Sequence, residues 1–195
     1  MEVTMIKKLF IDVGVGKPSS EAWDREKDFT IIGLEPGIHR YNNLKDSYPG
    51  KLLNMVASDK NGEIDCWENL ENPENGICLF DHESIKANEN FKIVKKDAIK
   101  LDSLEWRSFD EVHIWADIEG SELLMLKGAT EILSSGKVKW INLEVSKNAP
   151  IGAEGWATAK QVYDFLDKHG FKPIVKFNRL RTKGHRDVIF VPKEE

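Results

Sequence analysis

Cysteine is scarce in this chain, with two residues in 195, Cys66 and Cys78. Two thiols make no disulfide framework and their spacing matches no metal motif. The fold must rest on its core, and the thiols are expected to be reduced and at least half-buried. Long apolar runs are missing as well. The run that opens at Leu9 is broken at Asp12, which is too short for a signal-peptide core or a membrane span, and no other stretch qualifies. The protein is therefore expected in the cytoplasm, with no membrane partner. Nor is there an excess of positive charge: the net charge is −5, which excludes nucleic acid as the default partner, because binding phosphates takes a basic face. The basic clusters Lys95-Lys96 and Arg179-Leu180-Arg181-Thr182-Lys183 are read as solvated surface. Internal repeats and low-complexity segments are absent too. What is present is ordinary globular composition, 41% hydrophobic and 31% charged. The length suits one domain over 1–195, large enough to bury about 70% of the surface its unfolded chain exposes.

Strand and helix signals alternate from end to end. Residues 9–14 form a short apolar run closed by glycine, the mark of a buried parallel strand. Pro18-Ser19-Ser20-Glu21 starts a short helix ending near Asp28. A second strand covers 29–34 and is closed by Glu35-Pro36-Gly37. A second helix covers about 38–46, and 52–57 reads as a third strand. Residues 59–99 are an excursion: alternating polar and apolar residues at 63–67 and 91–99 suggest an extra hairpin, with a mobile loop near 70–90. The alternation resumes with a fourth strand at 111–116 and an amphipathic helix at 121–135 stopped by Gly136. A fifth strand at 140–145, a helix at 158–169 stopped by Gly170, and strands at 171–177 and 187–191 complete the chain. Repeated strand-helix units predict an α/β fold, a parallel sheet with helices on both faces. The last two strands lack a helix between them, so the final one should run antiparallel.

Ligands of open α/β sheets bind at the carboxyl ends of the strands, and here those ends carry Asp12-Val13-Gly14-Val15-Gly16, Glu35-Pro36, Ala57-Ser58-Asp59, Asp117-Ile118-Glu119-Gly120 and Glu144. Gly14 and Gly16 permit a tight turn and a close backbone approach. The dinucleotide fingerprint would place a third glycine at 19, where Ser19 stands. Glu35 follows the first loop by about 20 residues, the distance at which a carboxylate takes the two hydroxyls of a ribose. Asp117 and Glu119 precede a helix start, which favours acidic neighbours. They are also placed, with Glu144, to act as a general base or to hold a cation; Glu119 is expected to point away from Asp117. No metal ligand set is assigned. Trp67, Trp115 and Trp156 are candidates for an apolar substrate surface or for plain core packing.

Taken together, Ile11-Asp12-Val13-Gly14, Leu34-Glu35-Pro36, 57–62, 100–104, Asp117-Ile118-Glu119-Gly120-Ser121-Glu122 with Leu126-Lys127-Gly128-Ala129, Leu143-Glu144 and 187–190 resemble, in order, the motifs of the FkbM-type family of S-adenosylmethionine-dependent methyltransferases. The resemblance implies a Rossmann-like class I methyltransferase sheet of seven strands, the last antiparallel, with an extra hairpin between strands three and four. It implies S-adenosylmethionine as cofactor and O-methylation of a sugar or other small hydroxylated metabolite. Asp12, Gly14 and Gly16 would shape the methionine end of the pocket, Glu35 with Pro36 would hold the ribose, and Ala57 and Ser58 would lie near adenine. Asp117 would sit near the transferred methyl, acting as the base, with Glu144 second in line. The family often has Lys where Trp115 stands. The chain also begins almost directly with its first strand, so the site is expected to be open, covered only by the 68–90 loop or by a partner subunit in a homo-oligomer. The alternatives are a catalytically silent S-adenosylmethionine-binding module and a nicotinamide-dependent oxidoreductase.

Overall fold

A computed structural model describes residues 5–16, 20–72, 77–80, 85, 87–149, 153–174 and 185–194. In chain order the elements are β1 (Lys8–Val13), α1 (Ser20–Arg25), β2 (Thr30–Leu34), α2 (Ile38–Leu44), β3 (Lys51–Leu53), β4 (Val56–Ala57), β5 (Gly62–Asn69), β6 (Ile77–Cys78), β7 (Phe91–Ile99), a 3₁₀ turn (Leu101–Ser103), β8 (Glu111–Ala116), α3 (Glu122–Lys127), α4 (Thr130–Ser134), β9 (Val138–Ser146), α5 (Ala159–Lys168), β10 (Phe171–Ile174) and β11 (His185–Pro192). Among the described residues no helix is long and apolar enough to cross a membrane.

The main sheet has seven strands in the order β10-β11-β9-β8-β1-β2-β3. Strands β3, β2, β1, β8 and β9 pair in parallel, and β11 lies antiparallel between β9 and β10. The central strands read as unbroken apolar runs because both of their faces are covered. Leu9, Ile11 and Val13 pack with Ile114, Leu143, Met125, Leu126, Val162 and Leu166 on the α3–α5 side. Phe10 and Ile31 pack with Ala22, Leu44 and Tyr48 on the α1–α2 side. Helix α5 is the best-specified helix locally: Thr158 and Gln161 form a reciprocal capping box, and Gly170 leaves the helix at φ +84°.

Some of the expected element bounds need correction. Residues 52–57 form two strands, not one. The Glu35 N–H donates to the Leu53 carbonyl at 3.0 Å and the Asn54 amide donates to the Glu35 carbonyl at 2.8 Å. These bonds hold the chain at the sheet edge, after which β4 leaves to pair with β7. The extra hairpin is consequently a second sheet of four strands, β4-β7-β5-β6, of which β5 and β7 are the antiparallel pair foreseen. The helix at 121–135 is two helices. At Gly128 a Cβ would lie 2.0 Å from the Ser58 carbonyl oxygen, and Asp102 resets the chain there: its N–H donates to the Gly128 carbonyl and its carboxylate accepts the Glu131 and Ile132 N–H groups at 3.0 and 2.9 Å.

Lys96 is also not solvated surface. Its ammonium pairs with Glu68 at 3.2 Å, with the two side chains 14% and 7% exposed, on the inward face of the second sheet; Lys95 points outward between Glu63 and Asp65. Cys66 is buried as expected. The 179–183 cluster, the Pro18-Ser19 helix start, residues 175–177 of the expected strand and much of the 70–90 loop lie outside the described residues.

Candidate active site

A cavity of about 380 Å³ opens at the carboxyl ends of β1, β2, β4 and β8. Of the residues singled out from the sequence, Asp12, Gly14, Gly16, Glu35, Pro36, Ala57, Trp115, Asp117 and Glu119 all line it. Ser58 and Glu144 do not: Ser58 is fully buried, with its hydroxyl donating to Asp59 at 3.3 Å, and Glu144 approaches the lining only through Asp117 and Glu119.

The first loop is shaped by its neighbours. Gly14 adopts φ +79°, and a Cβ there would lie 2.3 Å from the Asp117 carbonyl oxygen. The Gly14 N–H donates to the Leu34 carbonyl at 2.9 Å and the Asp117 N–H to the Val13 carbonyl at 3.1 Å. The ends of β1, β2 and β8 are thus locked together around a position only glycine fits. Gly16, at φ +56°, donates its N–H to Glu35 Oε2 at 2.8 Å, and the Gly37 N–H donates to Oε1 at 2.7 Å. Glu35 is buried, which pushes its carboxyl up, while the N–H bonds from Gly16 and Gly37 and the charges of Arg40 and Lys96 draw it back. Each Glu35 oxygen therefore already holds one backbone donor, and a ribose would use the remaining lone pairs.

Two residues of the site escaped the sequence analysis. Arg40 lines the wall and stands nearest to Gly16, with a guanidinium nitrogen 3.3 Å from where its Cβ would be. The signal was a cation one helical turn beyond the Glu-Pro-Gly turn. Tyr48 donates its hydroxyl to Asp12 Oδ2 at 2.9 Å; nothing local in the sequence points to it, because the contact crosses 36 residues. Burial raises the Asp12 carboxyl to about 6, against the lowering effect of the Tyr48 bond.

The β8 side of the cavity is acidic. The turn after β8 carries two left-handed residues, Glu119 at φ +49° and Gly120 at φ +89°. For a non-glycine residue this backbone costs of order 1–3 kcal/mol. Glu122, buried beneath the turn, accepts the Gly120 N–H, and burial pushes its carboxyl up to about 7. The strained turn brings Glu119 back rather than away: Asp117, Glu119 and Glu144 each offer a carboxylate oxygen within 4.8 Å of the others. Glu144 is pushed up to about 8, by burial first and then by the charge and hydrogen bond of Asp117 and the charges of Glu119 and Asp187. Such a cluster can take a proton from a hydroxyl, and the same spacing can hold a cation. Beside it Trp115 lines the cavity and stacks on Trp140, with ring centroids 6.1 Å apart. Trp156, by contrast, is core, closing over Gly120.

A parallel sheet in this strand order, with an antiparallel strand inserted next to its edge and a glycine loop and acidic strand ends around one cavity, defines a Rossmann-like class I methyltransferase. The family model described as the methyltransferase FkbM domain matches residues 12–173. The chain belongs to the FkbM methyltransferase family, whose members depend on S-adenosylmethionine. The fold is similar to that of the methyltransferase FkbM from Methylobacillus flagellatus KT, at 13% identity and a TM-score of 0.56 over 98% of this chain and 44% of that one. It is also similar to the bifunctional kinase-methyltransferase WbdD, at 13% identity and a TM-score of 0.50 over 94% of this chain and 35% of that one. This chain thus spans less than half the length of either protein. No curated protein matches it.

Proposed function

We propose that this chain transfers the methyl group of S-adenosylmethionine to a hydroxyl of a neutral small molecule, a sugar or another hydroxylated metabolite. The observation that carries this is the lining of one cavity: the glycine loop and buried Glu35 line it together with Asp117 and Glu119, whose carboxylates cluster with that of Glu144. The residues present fit the cofactor. Gly14 and Gly16 leave a wall without side chains, Glu35 keeps free lone pairs for a ribose, and Met55, Ile77, Leu79 and Ile118 supply apolar surface for an adenine.

When bound, S-adenosylmethionine supplies an electrophilic methyl on a sulfonium. The chain's own work is to align and to deprotonate. Fixing an acceptor oxygen in line against the donor can supply about 7–11 kcal/mol of the barrier. Asp117, anchored through its backbone to β1, takes the hydroxyl proton, a role worth about 10²–10⁴-fold. Glu144, whose carboxyl burial and Asp117 push up to about 8, supports Asp117 from the neighbouring strand. The carboxylates of Asp117 and Glu119 in the lining disfavour phosphorylated or carboxylated acceptors, which motivates a neutral one.

Binding of S-adenosylhomocysteine tests the proposal. At a concentration 100 times its Kd it should stabilise the fold by about 2.7 kcal/mol, read as a rise in melting temperature, while NAD at the same concentration should give none. No rise with millimolar S-adenosylhomocysteine sinks the proposal. Binding without transfer to any of a broad panel of hydroxylated acceptors, followed with labelled donor, favours the silent binding module.

A further inference from the structure

We propose that Tyr48 is the positioning residue of the cofactor's methionine end: its hydroxyl fixes Asp12 as an oriented carboxylate in the cavity wall, where Asp12 receives the α-ammonium of S-adenosylmethionine. The inference rests on the cofactor proposed above and adds a residue outside every motif. Tyr48 lies in the connection between α2 and β3, buried to 8% exposure. Its backbone N–H donates to the Leu44 carbonyl at 2.9 Å, which ties it to the end of α2. Trp23 meets its ring edge-on at 5.4 Å and 87°.

The ring reaches Asp12 by crossing β2 at Gly33, the residue paired with Asp12 in the parallel register. A Cβ at Gly33 would lie 2.6 Å from both Cζ and Oη of Tyr48. Inside a strand a glycine weakens the ladder, so its presence at position 33 calls for a compensating use. The missing side chain makes the passage through which the hydroxyl reaches Oδ2 at 2.9 Å. With Oδ2 engaged, Oδ1 is the oxygen left for a ligand.

Asp12 needs this support because its surroundings oppose charge. It is 1% exposed, Glu21 on α1 and Glu35 at the end of β2 are both anionic neighbours, and β8 places uncharged Trp115 beside it. Arg25 on α1 is engaged by Glu21 at 2.7 Å. Among the described residues, the Tyr48 hydroxyl is the one group acting on Asp12 that favours its ionised form. Without it Asp12 protonates at higher pH and loses its attraction for an ammonium.

The experiment is calorimetric titration of S-adenosylhomocysteine, which keeps the ammonium, between pH 5.5 and 8.0. It uses the full chain as wild type, Tyr48→Phe, Asp12→Asn and the double variant. Wild-type affinity should be flat at the alkaline end and decline through about pH 6, the Asp12 value. In Tyr48→Phe the decline should begin about one pH unit higher, leaving binding about threefold weaker than wild type at pH 6.5 yet nearly equal to it at pH 8. Asp12→Asn should bind at least about tenfold more weakly at pH 8, and adding Tyr48→Phe to it should change nothing further. 5′-Methylthioadenosine, which lacks the amino-acid end, should bind wild type and Tyr48→Phe alike.

A Tyr48→Phe profile parallel to wild type at every pH, or an equal effect in the Asp12→Asn background, overturns the proposal and leaves Tyr48 as core packing. If Tyr48→Phe does not fold, Asp12→Asn decides: wild-type affinity and pH dependence in that variant overturn it as well. Wild type that binds no S-adenosylhomocysteine at any pH overturns the cofactor assignment itself, an outcome distinct from the others.

Discussion

Glu35 and Asp117 are both acidic residues at strand ends, yet their surroundings assign them different work. Glu35 is enclosed, and its two oxygens hold the Gly16 and Gly37 N–H groups. Glu35→Ala should therefore weaken S-adenosylhomocysteine binding by about 1.5–3 kcal/mol, the usual worth of hydrogen bonds to a charged group. It should also lower the melting temperature, because two backbone donors lose their acceptor. Calorimetry and a thermal melt read both, and unchanged affinity removes Glu35 from the ribose role. Asp117 is exposed on the acidic side of the cavity. Asp117→Asn keeps shape and hydrogen-bonding capacity but removes basicity, so methyl transfer should fall about 10²-fold or more while cofactor affinity stays. Glu144→Gln keeps a hydrogen-bonding partner for Asp117 and leaves Asp117 in place as the base, so its loss should be smaller. Equal losses in the two variants would contradict this division of roles, and a larger loss in Glu144→Gln would reverse it.

Among the elements, the junction between α3 and α4 shows what a single missing Cβ achieves. Gly128 lets the Ser58 carbonyl approach to where its side chain would be, which joins the start of the second sheet to the helices on the core side. Gly128→Ala meets backbone, not a flexible side chain, and should cost about 1–3 kcal/mol. At this chain length each kcal/mol lowers the melting temperature by about 2–4 °C. A melting temperature equal to wild type would mean that the junction relaxes freely. Asp102 belongs to the same device: its carboxylate caps α4, a structural role for a motif that the sequence alone tied only to a family resemblance.

For the molecule as a whole, burying acids has a consequence in pH. Glu122 and Glu144 are raised to about 7 and about 8, in both cases by burial first. Folding therefore binds protons that the unfolded chain, with ordinary carboxylates, releases. Stability from these groups is complete below their unfolded values and is lost as pH rises through the folded ones. His113, lowered mainly by burial, acts in the opposite sense but below its unfolded value near 6.5. The ligand-free melting temperature should thus fall between pH 6.5 and 9, and Glu122→Gln, which keeps an oxygen for the Gly120 N–H, should flatten that fall. A melting temperature that is constant or rising over this range contradicts the assignment.

The order of strands and helices, the antiparallel last strand and most of the cavity wall were legible in the sequence. Apolar runs, glycine stops and capping residues act over a few neighbours, and strand ends of a parallel sheet converge by topology. Thr158 with Gln161 and the 111–116 strand are cases where local chemistry sufficed. Tertiary structure alone decided the break at Asn54, the split at Gly128, the burial of Lys96 and the return of Glu119 toward Asp117. Each depends on a partner far along the chain: the Glu35 backbone, the Ser58 carbonyl, the Glu68 carboxylate, and Glu144 on the neighbouring strand. The same holds for the notch at Gly33. A glycine inside a strand announces a close approach, but only the folded chain shows that the group approaching is Tyr48 and that its hydroxyl continues to Asp12.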